Sequence, residues 1–159
     1  MSWSLRVSRG DLVLDSSSLG SVAHEHKLVQ DLRLWLMERM GHDQFHPNYG
    51  SLIDGGTTPE GKTVDSVIGS MNLNVTALEI EAEIRRVGAA YQRMQIDRAR
   101  SDRDRYGKST LTGGEILAAI KTITFDFKED RMDITVLIES ARGNEAALSL
   151  NLPGVITTS

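Results

Sequence analysis

The sequence predicts an α+β domain: short N-terminal strands, amphipathic helices including one long helix, and a C-terminal three-stranded antiparallel meander. Three observations point there. Apolar residues recur with a helical period over residues 22–40 and again over residues 80–94. After Lys121 the period changes to two. Polar runs, KEDR and ARGNEA, then break the alternating stretch into three. Helices followed by a block of strands is the order of an α+β domain.

Taken in order, LRVSRGDLVLD alternates loosely around Arg9-Gly10-Asp11 and ends at Ser16-Ser17-Ser18, which reads as a small hairpin or two short strands. From residue 22 to residue 40, Val22, Val29, Leu32, Leu36 and Met40 form one stripe flanked by Leu28 and Trp35. Ser21 is the expected N-cap and Gly41 the stop. The loop GHDQFHPNYGS follows, and LIDGGTTPEGKT, rich in glycine and threonine, is expected to continue as loop. VDSVIGSM places Val64, Val67, Ile68 and Met71 on one side of a short helix weakened by Gly69.

TALE, from Thr76 to Glu79, has capping-box spacing and opens the long helix, expected from Leu78 to Arg105. Its stripe is Ile80, Ile84, Val87, Tyr91 and Met94. Glutamates near its start and arginines near its end complement the helix dipole. Beyond Met94 the run DRARSDRDR is polar all round, which implies a partner or fraying. Thr112 and Glu115 repeat the capping-box spacing and predict a short helix to Ile120. In the meander, Ile123, Phe125 and Phe127 share one face. Met132, Ile134, Val136 and Ile138 share the next, and Leu148, Leu150 and Leu152 the last, which Pro153 ends.

A chain of 159 residues suits one domain spanning 1–159. Its net charge of −4 gives no electrostatic reason to expect nucleic acid or an anionic membrane. Cysteine is absent, which removes thiolate chemistry and disulfides and is compatible with folding in the cytoplasm. Neither a signal peptide nor a membrane span is expected.

No cofactor or metal site emerges. Gly107-Lys108-Ser109 resembles the end of a phosphate loop, yet Asp102 stands where that motif needs glycine. His24 and His26 point to different faces of a helix. His42 and His46 have the spacing of a helical zinc pair, but Gly41 and Pro47 argue against helix there. No nucleophile elbow or acid-rich metal loop is present. Trp35 and Tyr91 read as core residues.

Gly41, Phe45, Pro47, Tyr49 and Gly50, following a helix, carry a resemblance. Together with LVQDLRLWLMERMGHDQFHPNYGSLI, VGAAYQRMQID and the closing strands, the chain resembles the lysozyme-like baseplate wedge family of contractile-tailed phages. Relatives of that family include the E subunit of the type VI secretion baseplate. The likeness runs from about Leu5 to Leu152. It departs in two places. The family's Glu-Pro-Arg after the helix-ending tyrosine is Gln92-Arg93-Met94 after Tyr91 here, and residues 96–120 form an insertion.

The resemblance implies a structural protein rather than an enzyme, assembled in the host cytoplasm and residing in the tail baseplate of a virion. Its implied partners are other wedge proteins and the tail sheath protein, with the central hub a further candidate, in six copies around the tail axis. Phe45, Pro47, Tyr49, Gly50, Tyr91, Gln92 and Arg93 would meet the wedge. Leu148, Leu150 and Leu152 would set the face of a strand pairing with sheath. Removing residues 145–159 would then spare the fold. A regulatory adaptor of the same fold is the alternative. A peptidoglycan hydrolase, which requires two carboxylates at working distance and one held protonated, stands last.

Overall fold

A computed structural model describes residues 4–8, 11–15, 18–19, 21–68 and 73–153. It is α+β, with two helices, two three-stranded sheets and short N-terminal ladders.

The N-terminal segment folds into nested antiparallel pairs. Strand β1 (Ser4–Leu5) pairs with β6 (Ser21–Val22) and encloses two ladders, β2 (Val7–Ser8) with β3 (Asp11–Leu12) and β4 (Leu14–Asp15) with β5 (Ser18–Leu19). The expected turn residues Arg9 and Gly10, and Ser16-Ser17, lie outside the described residues. Gln30 ties the segment down. Its amide donates to the Leu5 carbonyl at 2.7 Å and accepts from the Val7 N–H at 2.8 Å.

Helix α1 spans His24–Met37, shorter than the 22–40 stripe suggests. Ser21 is a strand residue rather than the cap, and Ala23 takes the N-cap position with no side-chain cap bond. At the far end Arg39–Met40 leave the helix as β7 and run parallel to β8, Ser51–Thr57. The helix stops early because a backbone ladder is available to those two residues. Strand β9 (Thr63–Val64) completes this sheet on the other side of β8.

Gly55 and Gly56, which suggest loop in LIDGGTTPEGKT, therefore sit in a strand. Gly56 has φ +146, and a Cβ there would lie 2.5 Å from the Met40 carbonyl oxygen. Glycine is what lets β8 approach β7 that closely. The short helix expected from Val64 does not form over residues 64–68. Val67 instead donates its N–H to the Ile53 carbonyl at 3.2 Å, and Val67 and Ile68 pack on the core without a helix. Gly69 and Met71 lie outside the described residues.

Helix α2 runs Leu73–Tyr106, 34 residues or about 51 Å. Thr76 is not its cap: it lies one turn inside and is fully buried. A capping box contributes about 1 kcal/mol, so its spacing does not by itself fix where a helix starts. Ile80, Ile84, Val87 and Tyr91 face the core as expected, while Met94 is exposed.

The capping box at Thr112 and Glu115 does form, but its helix is one 3₁₀ turn, Gly113–Glu115. Strand β10 (Leu117–Phe127) starts where more helix is expected. Gln95 of α2 holds the change of direction. Its amide donates to the Glu115 carbonyl at 2.6 Å and accepts the Leu117 N–H at 3.0 Å. Gly88 leaves room alongside, since a Cβ there would touch the Ile120 side chain at 2.5 Å.

Strands β10, β11 (Arg131–Ser140) and β12 (Glu145–Pro153) form the expected antiparallel meander in that order. Its register sets Ile123 opposite Val136 and Leu148 opposite Val136 from the other side. One face is covered by the two helices, α1 against β12 and α2 against β10. Met132, Ile134, Val136, Ile138, Leu148, Leu150 and Leu152 are all buried there with Leu28, Leu32 and Ile84. The three leucines of β12 thus belong to this chain's own core. Removing residues 145–159 would open that core, which overturns the expectation that the fold survives without them.

Candidate functional site

Two surfaces stand out. The first is the loop of residues 41–50 against α2. Asp43 organises the loop. Its carboxylate accepts the Phe45 N–H at 2.9 Å and lies 2.7 Å from His46 Nδ1. These bonds, led by the one to His46, hold its pKa below the usual carboxylate range. Tyr49 N–H then donates to the His46 carbonyl at 2.9 Å. Gly50, at φ +101, has the backbone of Glu38 and Arg39 within 3 Å of where a Cβ would stand. No other residue fits this exit.

Aromatic packing anchors one end of the loop. The Tyr49 ring lies 5.0 Å from Trp35, and Tyr91 meets Trp35 edge-on at 5.5 Å. Phe45 is different. It is 90% exposed, and no described residue covers its ring. Between loop and helix runs an open groove of about 600 Å³, lined among others by Phe45, Pro47, Tyr49, Arg93 and Met94, with Trp35 behind.

The structure therefore brings Phe45, Pro47, Tyr49 and Arg93 together and separates them from the remaining expected wedge residues. Tyr91 is buried, its hydroxyl 3.5 Å from Asp31, and burial holds the phenol well above its ordinary pKa. Gln92 points the other way and donates to the carbonyls of Leu117 and Ala118. Gly50 is buried backbone. The 100° step between successive helical residues explains the split, since Tyr91 and Arg93 differ by more than half a turn.

The second surface is the β12 edge. Ser140 N–H donates to the Asn144 carbonyl. Pairs in an antiparallel ladder alternate, so the even residues of β12 bond to β11 and the odd ones turn their N–H and C=O outward. The outward set is Glu145, Ala147, Ser149 and Asn151, whose side chains are also exposed. Pro153 occupies an outward position as well, where a missing N–H costs the ladder nothing. Leu148, Leu150 and Leu152 consequently lie neither on the open edge nor on the open face. Among the described residues, β12 pairs with β11 alone.

The histidines behave as ordinary loop and helix residues. His42 Nδ1 lies 3.0 Å from Glu38, and His24 Nδ1 lies 3.4 Å from the Thr112 hydroxyl. Among the described residues no cluster has the makings of a metal site. Gly107-Lys108-Ser109 follows a helix rather than a strand, and Asp102 accepts the Thr110 N–H at 2.9 Å. Within the described residues no helix is long and apolar enough to cross a membrane. Hydrogen bonds from Asn144, Thr110 and Lys128 hold the carboxyls of Glu25, Asp102 and Asp133 below their usual range, opposite to the shift a general acid needs.

Set against known proteins, the chain matches no family model, no curated protein and no solved structure. Sequence reasoning missed the outward residues Ala147, Ser149 and Asn151. Their signal was in the alternation itself: once the leucines are assigned to the core, the intervening small or polar residues must form the free side.

Proposed function

We propose that this protein is a structural subunit of a contractile-tail baseplate wedge. It docks into the wedge through the groove beside residues 41–50 and offers β12 as the strand on which sheath pairing begins. The observation that carries the reading is the β12 edge. Four residues present outward backbone groups, their side chains are small or polar, and no described strand covers them. Such an edge accepts a foreign strand by main-chain hydrogen bonds in a defined register. The exposed Phe45 beside the groove supports the docking half, since an aromatic ring projecting from a fixed loop is the residue type that anchors interfaces.

Ser149→Pro is the direct test. Proline removes one outward donor and leaves every bond to β11 in place, and an edge strand tolerates it. Expected is a protein that melts like wild type and enters baseplates that fail to nucleate sheath. Normal sheath on such baseplates would refute the strand-addition role.

Phe45→Ala tests docking. With the ring this exposed, the melting temperature should stay unchanged while co-assembly with the other wedge proteins weakens by about tenfold or more. Unchanged co-assembly would remove the groove from the account.

A further inference from the structure

The far end of α2 carries exposed charges that form no ion pair among the described residues. Lower on the helix, arginines are paired, Arg85 with Glu81 at 2.8 Å and Arg86 with Glu83 at 2.7 Å. From residue 97 onward this stops. Asp97, Arg98, Arg100, Arg103, Asp104 and Arg105 make no ion pair among the described residues, and all six are exposed. Asp102 alone is engaged, with the N–H and hydroxyl of Thr110 on the returning segment.

Asp97, Arg98, Ser101, Asp104 and Arg105 recur at steps of three and four, so they share one stripe, and Asp102 lies off it. Read in order the stripe is acid, base, serine, acid, base. Turned end for end about Ser101, it meets itself with opposite signs. Asp97 faces Arg105 of a second copy, Arg98 faces Asp104, and serine faces serine. A parallel arrangement would set like charge on like, so the pattern specifies direction as well as partner.

We propose that the tip of α2 pairs antiparallel with the same tip of a second copy of this chain, about a two-fold axis through Ser101. The contact is isologous, so two kinds of ion pair occur twice each. The small side chain at the centre lets the axes approach to about 8–10 Å, the distance at which helices pack. Because the charges stay solvated at the rim, the association is weak and salt-sensitive. It does not depend on the baseplate reading, and it gives the exposed end of α2 a role of its own.

Sedimentation of the purified full chain tests it. Wild type should self-associate at low salt and lose about tenfold or more in affinity at high salt. Arg98→Asp alone and Asp104→Arg alone should each remain monomeric, since each sets like charges together. Mixed, those two variants should form a one-to-one pair, and the double variant R98D/D104R should self-associate as wild type does. All of these side chains are exposed, so every variant should melt like the parent. A wild type that stays monomeric at low salt, a dimer indifferent to the single reversals, or a mixture that does not pair would each overturn the proposal.

Discussion

Truncation after Asn144 will unfold the protein. Residues 145–159 include β12, whose Leu148, Leu150 and Leu152 are almost wholly removed from solvent. Their loss would also bare one side of β11 and the face of α1 that covers β12. A Leu→Ala change at a buried site costs about 2–5 kcal/mol, and domains have about 5–15 kcal/mol of net stability. Three such sites together with a strand's ladder exceed that margin. Expected are loss of a cooperative thermal transition and rapid proteolysis. Leu150→Ala alone should stay folded and lower the unfolding free energy by about 3 kcal/mol, read from the urea midpoint.

Gln95→Leu should have the next largest effect. Gln95 is buried, and its amide holds the turn between the 3₁₀ segment and β10 at two points, donating to the Glu115 carbonyl and accepting the Leu117 N–H. Leucine fits the volume but takes away the Gln95 bond from both groups in a site shielded from water. Each such group costs about 1–3 kcal/mol, so a loss of about 3 kcal/mol is expected in urea titration. Gln92→Leu is the comparison. Its bonds reach the half-exposed start of the same strand, and its loss should cost about 1 kcal/mol or less.

These two cases mark where the sequence was legible. The inward faces of both helices and of strands β11 and β12 were readable because periodicity reports burial directly: Leu28, Leu32, Ile80, Ile84, Ile134 and Leu150 are where their spacing puts them, whereas on β10 Ile123 and Phe125 are only partly buried and Phe127 is exposed. What was not readable depends on distant residues. Leu117 leaves helix for strand because Gln95 reaches it from 22 positions away. Gly55 and Gly56 look like loop glycines because nothing local shows that Met40 and Val64 will lie against them. The end of α1 moved because Arg39 and Met40 found a parallel partner in β8.

The candidate surfaces were half legible for similar reasons. Phe45, Pro47 and Tyr49 stand out in composition, and Arg93 joins them because a helix brings it round to the loop. Tyr91 and Gln92 were neighbours of Arg93 in sequence but not on the surface, since the helix turns them inward and across to β10. The alternation of the β12 leucines gave the strand's faces correctly, but their face packs into this chain's own core, and the outward backbone groups belong to the residues between them.

Amide hydrogen exchange along β12 tests the central claim most directly, measured first on the isolated protein and then on protein recovered from assembled tails. In isolation the amides of Ala147, Ser149 and Asn151 should exchange fast and those of Leu148, Leu150 and Leu152 slowly. On assembly the fast set should become protected while the slow set stays as it was. Odd amides already protected in the isolated chain, or still exchanging fast within the assembled tail, would contradict the account.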